Sequence, residues 1–440
     1  MTDFKNLCSF GVEELTQLGA SHAIATGSTS KQQQVKFANS KIVRTSIDES
    51  TSIELFAAVD GRTAMTDVKK MDEESVKASC GELLKLAKKL PVNKDFVDTA
   101  RGTFKYNPIT FDKRTAEMGL EAVDLVERAM ETAGAVKSAG MFELDVSENF
   151  LHSSTGPHGS QKSTGAYFSI RCLEDKAASG HKVTASSRVG EIKFEELAKE
   201  ASSLARKARN PSPGPQGVYN IVFDALPFAA LINNVADSAG AFNVESGLSC
   251  LTGKVGQKIA AGDFSLFDDA CNSSGLHSTA FDAEGTATKR TAIIQNGVLK
   301  TFLHNTSTAT RHKAKSTGNA GILSPHAWNL EVEKGKATLD ELLREAKNGI
   351  YISNIWYTRF QNYATGDFST IPRDAAFLIE NGELTKPINR IRITSSLPHL
   401  LANASLLSSN SRQIYGWEVE TPTVSPDALV EKMHVSIPQG

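Results

Sequence analysis

Several features that would assign a function class directly are missing from this 440-residue sequence. No apolar run approaches the ~18 residues that a membrane-spanning helix needs, so we expect no membrane association. The N-terminal segment MTDFKNLCSFGVEELTQLGA reads as an amphipathic helix and lacks the basic and apolar regions of a signal peptide. With a net charge of −2 and no long run of one sign, the sequence predicts no nucleic-acid-binding surface.

Cysteine is also scarce, and its pattern excludes a disulfide framework. The five cysteines are odd in number, scattered, and never form a CxxC pair: Cys8, Cys80, Cys172, Cys250 and Cys271. This distribution favours reduced thiols, and we therefore expect a cytoplasmic protein.

The motifs of common catalytic sites are absent as well. Ten histidines occur, but none lies in HExxH or a comparable helical pair, and zinc needs three or four convergent ligands. No GxxxxGK[ST] loop, no GxGxxG turn opening a helix and no GxSxG nucleophile elbow is present. From these motifs alone, the sequence predicts no metal site and no phosphate site.

What is present is a mixture of strand and helix patterns. Apolar and polar residues alternate in short runs between residues 20 and 70, which predicts strands joined by a turn at Asp60-Gly61. Helical spacing of apolar residues predicts three helices in this half, namely Asp72 to Lys89, Thr115 to Ala133 and about Phe194 to Ala208. The helix from Asp72 has Val76, Cys80, Leu83, Leu84 and Ala87 on one face.

A proline-rich segment, NPSPGPQG at residues 210–217, divides the chain nearly in half. Three prolines fix φ and remove hydrogen-bond donors, so the segment predicts a domain boundary. We therefore expect an N-terminal α+β domain at 1–210, a linker at 211–217 and a C-terminal domain at 218–440. The second half predicts a strand at Tyr219 to Phe223, a helix at Ala225 to Ala239, and then many short strands. The fold class is α+β, with two domains and much antiparallel sheet.

Three further elements are predicted in the second half. Asn296-Gly297 lies between apolar runs and predicts a hairpin, because both central residues of a type I′ turn need φ > 0. A helix is predicted at Leu339 to Ala346, followed by a strand at Gly349 to Ile355.

The most informative stretch is QNYATGDFSTIPRDAAFLIENGE, residues 361–383. It predicts a polar loop at Thr365 to Ser369, then a strand that closes on an Asn381-Gly382 turn. A loop that is rich in turn residues is often a binding surface.

One carboxylate pair could support acid–base chemistry. Asp282 and Glu284, in FDAEG, would share a face if they lay on a strand, and two close carboxylates can divide acid and base roles. The alternative is a turn in which Asp282 caps the backbone and Gly285 ends it.

Blocks spread over most of residues 218–383 resemble the TldD/PmbA family of metalloprotease-related proteins. In order, they are FDAEG (281–285) with Thr288, IQNGVL (294–299), STGN (316–319), WNL (328–330) before Gly335, Gly349-Ile350, Asn362 with TGDFS (365–369), and IENGE (379–383) with Pro387. Each block is weak alone, but their order and spacing are specific. The N-terminal half agrees more loosely, through Asp60-Gly61-Arg62.

The resemblance implies a dimer that encloses a cavity for extended peptides. The family's catalytic member carries HExxxH on a helix early in the C-terminal domain; two histidines and a late cysteine hold the metal, and the glutamate acts as base. In this chain the matching helix has Asn233 and Ser238 at the histidine positions and Asn234 at the glutamate position. No histidine occurs between Ala225 and Gly247, and no cysteine follows Cys271.

This pattern resembles the TldE/PmbA branch, the non-metal subunit of a heterodimeric protease that cleaves unfolded peptides. The resemblance implies no cofactor here, zinc in a TldD-like partner, and either that heterodimer or a homodimer. If this chain contacts peptide, we expect contacts from Arg359, Thr365, Gly366, Asp367 and Arg373, with arginine pairing a carboxylate. The segments WYTRF (356–360) and Arg373-Asp374 depart from the branch and could mark a subgroup with its own partner or substrate.

Two other functions remain open from the sequence. The chain could be an independent hydrolase or modifying enzyme that uses Asp282 and Glu284. It could instead be a peptide-binding module with no catalytic role.

Overall fold

The computed structural model describes residues 3–437 and has a mixed α+β fold, as predicted. Its α-helices are α1 (Phe4–Gln17), α2 (Glu73–Lys89), α3 (Lys113–Glu117), α4 (Glu121–Ala133), α5 (Phe194–Lys207), α6 (Ala225–Ser238), α7 (Ala241–Glu245), α8 (Thr306–Arg311), α9 (Leu339–Ala346) and α10 (Leu397–Asn403). None of these helices combines the length and the apolarity needed to cross a bilayer.

The first half forms a six-stranded antiparallel sheet, in the order β3-β2-β1-β4-β5-β6. Its strands are β1 (His22–Ala38), β2 (Lys41–Val59), β3 (Arg62–Asp67), β4 (Lys137–Ser153), β5 (His158–Leu173) and β6 (Ser179–Ser186). Helices α1 and α2 cover one hydrophobic cluster and helices α4 and α5 cover another. Between the two clusters the long strands are polar, with Ser28 and Ser30 on β1 opposite Ser52 and Ser50 on β2.

The second half forms a larger, mostly antiparallel sheet. Its strands are β7 (Ser212–Pro213), β8 (Gly217–Phe223), β9 (Leu266–Asp269), β10 (Arg290–Gln295), β11 (Val298–Leu299), β12 (Leu330–Val332), β13 (Gly349–Ile352), β14 (Ile355–Asn362), β15 (Asp367–Pro372), β16 (Ala376–Glu380), β17 (Glu383–Asn389), β18 (Arg392–Ser396), β19 (Ala404–Gly416) and β20 (Val419–Ser436). The proline-rich segment contributes β7, which pairs with the end of β17 in parallel.

The predicted helices α1, α2, α5, α6 and α9 are confirmed, and one helix prediction is wrong. Helix α2 buries the predicted face, and α9 has the predicted bounds. The single helix predicted from Thr115 to Ala133 is instead divided into α3 and α4, because Met118 takes an extended backbone conformation and Gly119 follows it. Glycine loses the most conformational entropy in a helix, so a break there costs little.

The strand predicted in the second half from Gly349 lies where it was predicted but is shorter. The strand predicted at Gly349 to Ile355 ends at Ile352, and β14 begins at Ile355 after a two-residue break. Both Asn-Gly turns form as predicted, because Asn296, Gly297, Asn381 and Gly382 all have positive φ.

The two halves contact each other through a strap and through β6. The strap, residues 91–112, has no regular secondary structure and runs against the second half. Tyr106 donates a hydrogen bond to the Gly285 carbonyl, and Thr110 donates one to the Ser273 carbonyl. A groove of about 560 Å³ lies between the polar middle of the first sheet and residues 276–283 and 326–328.

Candidate functional site

Helix α6 lies at the centre of the second half. It is apolar on nearly every side, which is typical of a helix enclosed by its own domain. Its side chains pack into the main hydrophobic cluster together with strands β8, β19 and β20. Polar residues on this helix must therefore find partners inside the protein.

Asn233 ties α6 to β20. Its Nδ2 donates to Thr423 Oγ1 at 2.7 Å and to the Thr421 carbonyl at 3.2 Å, and its Oδ1 accepts from the Thr421 amide at 2.9 Å. The same Nδ2 also lies 3.2 Å from the Ala229 carbonyl. All the polar atoms of this buried side chain are engaged, so the residue connects two elements of the core.

Asn234 and Ser238 bond mainly within their own helix. Asn234 Nδ2 donates to the Ala230 carbonyl at 2.8 Å, and Ser238 Oγ donates to the Asn234 carbonyl at 3.0 Å. Within residues 3–437, no three His, Cys, Asp or Glu side chains come close enough together to hold a metal ion.

Asp282 and Glu284 lie in a tight turn, not on a strand. Asp282 Oδ1 accepts from the amides of Glu284 at 3.0 Å and Thr286 at 2.8 Å, and its Oδ2 accepts from Ala320 N at 3.0 Å. Gly285 has φ +83°, which suits the end of such a turn. Asp282 lines the groove between the halves, while Glu284 accepts hydrogen bonds from Thr306 on the other side.

Both carboxyls in this turn hold their protons unusually tightly. Burial raises the pKa of Asp282 to about 7, although three backbone amides oppose the shift. Burial, with the neighbouring Asp282, raises the pKa of Glu284 to about 8. Perturbed carboxyls of this kind occur at catalytic sites and in structural turns alike.

Replacing Glu284 with glutamine is expected to flatten the pH dependence of stability. Because the folded pKa of about 8 lies above the ordinary 4.5, protonated Glu284 favours the folded state below pH 4.5, and this contribution disappears as the pH rises through 8. The replacement is expected to remove at most about 4 kcal/mol from the difference in the free energy of unfolding between low and high pH. Urea unfolding at pH 5.5 and pH 8.5 measures it, with the exposed Glu383→Gln as control. An E284Q slope equal to that of the wild type would contradict this account.

The segment predicted as a polar loop at Thr365 to Ser369 is mostly strand. Residues 355–372 form the β14–β15 hairpin, whose turn is Tyr363 to Gly366. Thr365 Oγ1 donates to Asp367 Oδ2 across the start of β15. A Cβ placed on Gly366 would lie 3.1 Å from Cys250 Sγ, so the turn is close to Cys250. The preceding residue, Ser249, donates a hydrogen bond from its hydroxyl to the Ser238 carbonyl at the end of α6. The structure therefore brings the hairpin turn close to the C-terminal end of α6.

The two predicted arginines lie elsewhere on this hairpin. Arg359 is exposed and stacks on the Tyr357 ring, with its guanidinium 4.2 Å from the ring centroid. Arg373 follows β15 and stacks on Trp356 at 4.5 Å. Arg373 also lines a cavity of about 250 Å³, which we call the aromatic pocket.

The aromatic pocket includes residues that sequence reasoning missed. Arg171 and His181 come from β5 and β6, and Trp417 comes from the turn between β19 and β20. No local pattern marks them, because Arg171 and His181 precede Trp417 by more than 200 residues and meet it only through the packing of the two halves. The segments WYTRF and Arg373-Asp374 were the only local signals for this pocket.

Comparison with known proteins agrees with this fold. The family profile described as the PmbA/TldA metallopeptidase C-terminal domain matches residues 216–437, about half of the chain. A metalloprotease of Methanocaldococcus jannaschii is 28% identical over 247 residues, which cover 52% of this chain and 53% of that protein. The chain thus spans about half the length of this archaeal relative.

Two further relatives match over nearly their whole length. The metalloprotease PmbA homologue of Haemophilus influenzae is 23% identical over 469 residues, covering 99% of this chain and 96% of that protein. The crystal structure of TldE from Thermococcus kodakarensis superposes with a TM-score of 0.87 at 20% identity, covering 98% of this chain and 99% of that one. At that identity the likeness shows a shared fold. Together with the matched domain, these relationships show that the chain belongs to the PmbA/TldD metallopeptidase family.

Proposed function

We propose that this chain is a TldE/PmbA-type subunit of a zinc metalloprotease complex that cleaves unfolded peptides in the cytoplasm. In this proposal a TldD-like partner supplies the zinc and the HExxxH motif. This chain closes the cavity, holds extended peptide and stabilises its partner.

The residues of α6 carry the proposal: Asn233, Asn234 and Ser238 stand at the positions that the resemblance matches to the histidine, glutamate and histidine of the family's catalytic helix. Zinc in proteins is bound by thiolate, imidazole and carboxylate groups, and carboxamide and hydroxyl oxygens are poor substitutes. The side-chain amide of Asn233 is also already hydrogen-bonded to Thr421 and Thr423 of β20. These residues do not fit a zinc ion.

The similarity to named relatives supports the assignment to this branch. The Thermococcus protein of the same fold is named TldE, and the Haemophilus relative that matches over nearly the whole chain is named a PmbA homologue. A subunit that lost its ligands while keeping the fold would still be selected for partner and peptide contacts.

Affinity purification of the tagged chain from its native source tests this proposal. We expect a chain bearing HExxxH to copurify in equal amount. Recovery of only a self-associated chain would contradict the heterodimer. The untagged chain, purified under the same conditions, serves as the control for nonspecific capture.

A second candidate function uses the buried carboxyls. Asp282 lines the groove and has a pKa of about 7, which suits a general acid or base near neutral pH. Activity of the pure chain on a peptide or small molecule that survives chelators and disappears in Asp282→Asn, but not in Glu383→Gln, would favour it. Peptide binding without hydrolysis, even with a zinc-bearing homologue present, would favour a pure binding module.

A further inference from the structure

The aromatic pocket has walls from both halves of the chain. Tyr167 comes from β5, Trp356 from β14, and Tyr415 and Trp417 from the tip of the β19–β20 hairpin. Tyr167 and Tyr415 pack edge to face, with their ring centroids 5.6 Å apart. Trp417 stands at the rim with 88% of its surface exposed, which is unusual for so large an apolar side chain. The walls therefore offer aromatic surface to a group that enters from solvent.

The floor of the pocket is a fixed polar network. Arg171 Nε lies 2.9 Å from Asp374 Oδ1, and Asn354 Nδ2 donates to Asp374 Oδ2 at 2.8 Å. His181 Nδ1 faces the donors of Arg171 and Asn354, so it is the acceptor, and Nε2 carries the proton toward Ser169. Burial lowers the pKa of His181 to about 4, so the ring is neutral near pH 7. The positive charge of the pocket thus comes from its arginines.

Arg373 is the arginine that has no ion partner. Arg171 is paired with Asp374, whereas within residues 3–437 no carboxylate oxygen lies within 4.0 Å of the Arg373 guanidinium. Burial and the neighbouring Arg171 lower the pKa of Arg373. Glu418, the acid that lines the pocket, accepts a hydrogen bond from the Tyr357 amide at 3.4 Å. A negative group entering the pocket would therefore meet an available guanidinium.

A strained bulge positions this side of the pocket. The pairing of β14 with β15 shifts between Trp356 and Arg359, and Tyr357 has φ +62°, a conformation that is costly for an aromatic residue. Bulges of this kind redirect side chains next to functional sites. Here the bulge separates Trp356, which lines the pocket, from Arg359, which does not.

We propose that the aromatic pocket binds the C-terminal carboxylate of a peptide whose last residue is aromatic or bulky and apolar. Arginine matches a carboxylate with two parallel hydrogen bonds, and the aromatic walls favour an apolar side chain beside it. The volume of about 250 Å³ lies below the ~300–1,000 Å³ of sites for larger ligands, so it suits one terminal residue. In a C-terminal residue, the carboxylate and the side chain are both bonded to the same Cα atom. The proposal deepens the peptide-holding role proposed above and rests on it.

Isothermal titration of the full chain with two short peptides tests this inference. N-acetyl-Ala-Ala-Phe as the free acid is expected to bind at least tenfold more tightly than the same peptide as its C-terminal amide. Arg373→Gln should abolish the difference, whereas Arg44→Gln, at an exposed position of β2 outside the pocket, should keep it. Glu418→Gln should tighten binding of the acid, because it removes a competing negative charge while keeping the acceptor for Tyr357.

Equal binding of acid and amide, no binding of either, or an equal loss in both arginine variants would overturn the proposal. The wild-type comparison stands even if Arg373→Gln fails to fold, which circular dichroism would reveal. Because the titration needs neither a partner nor hydrolysis, its outcome is independent of whether an HExxxH-bearing chain copurifies.

Discussion

Replacing Lys182 with methionine is expected to lower the free energy of unfolding by about 3–5 kcal/mol. Lys182 is 7% exposed on β6, in the first half, and its ammonium donates to Asp224 Oδ2 in the second half. Asp224 is 3% exposed and also accepts from Tyr351 Oη at 2.8 Å. Burial alone would raise the pKa of Asp224, but Lys182 and Arg412 hold it below its usual value. Methionine would fill the space of lysine and leave a buried carboxylate without its main partner.

Urea denaturation measures this loss, with Lys199→Met as the control because Lys199 is exposed on the nearby helix α5. Exposed substitutions of this kind usually change stability by less than about 0.5 kcal/mol. The double variant Lys182→Met/Asp224→Asn should recover part of the loss, because the uncompensated charge is gone. A Lys182→Met variant as stable as Lys199→Met would show that the ion pair does not hold the halves together.

Replacing Asn233 with alanine is expected to cost about 2–4 kcal/mol, because it leaves the Thr421 amide without a partner and removes the side-chain amide that bonds the Thr421 carbonyl and the Thr423 hydroxyl. That carbonyl and that hydroxyl then keep only their bond to each other. Asn234→Ala is a matched control on the same helix. It gains the same helix propensity but removes only the bond to the Ala230 carbonyl, so its cost should stay below about 1 kcal/mol.

Thermal and urea unfolding of the two variants measure the difference between them. Equal stability of Asn233→Ala and Asn234→Ala would contradict the view that Asn233 joins α6 to β20. A large difference would show that this position, which the resemblance matches to a metal-ligand position of the family's catalytic member, has a structural role in this chain.

Local patterns in the sequence were sufficient for several elements. The apolar spacing of α2 and α9 fixes their buried faces, and Asn-Gly is nearly sufficient for a type I′ turn. The break at Gly119 was missed because apolar spacing continues across it and only the backbone conformation of Met118 reveals it. The length of β14 and β15 was missed because polar residues on an exposed hairpin resemble a loop.

The candidate sites depended on long-range packing, which one sequence does not display. The turn that holds Asp282 could be anticipated from Gly285, but its burial against Ala320 and Thr306 could not. Likewise, Arg373 was a predicted contact residue, yet its neighbours in the pocket include Arg171 and Trp417, which lie far from it in the sequence. Side chains with no shared periodicity meet only after both sheets have formed.

We propose that this chain works with a zinc-bearing partner and does not cleave peptides by itself. The most direct measurement is hydrolysis of an unfolded peptide by the purified chain, by its HExxxH-bearing partner and by their mixture, each with and without a chelator. We predict no cleavage by this chain under any of these conditions, and cleavage by the mixture that exceeds that of the partner alone and is abolished by the chelator. A mixture in which the partner's motif glutamate is replaced by glutamine should be inactive. Cleavage by this chain alone, or a mixture no more active than the partner alone, would contradict the account.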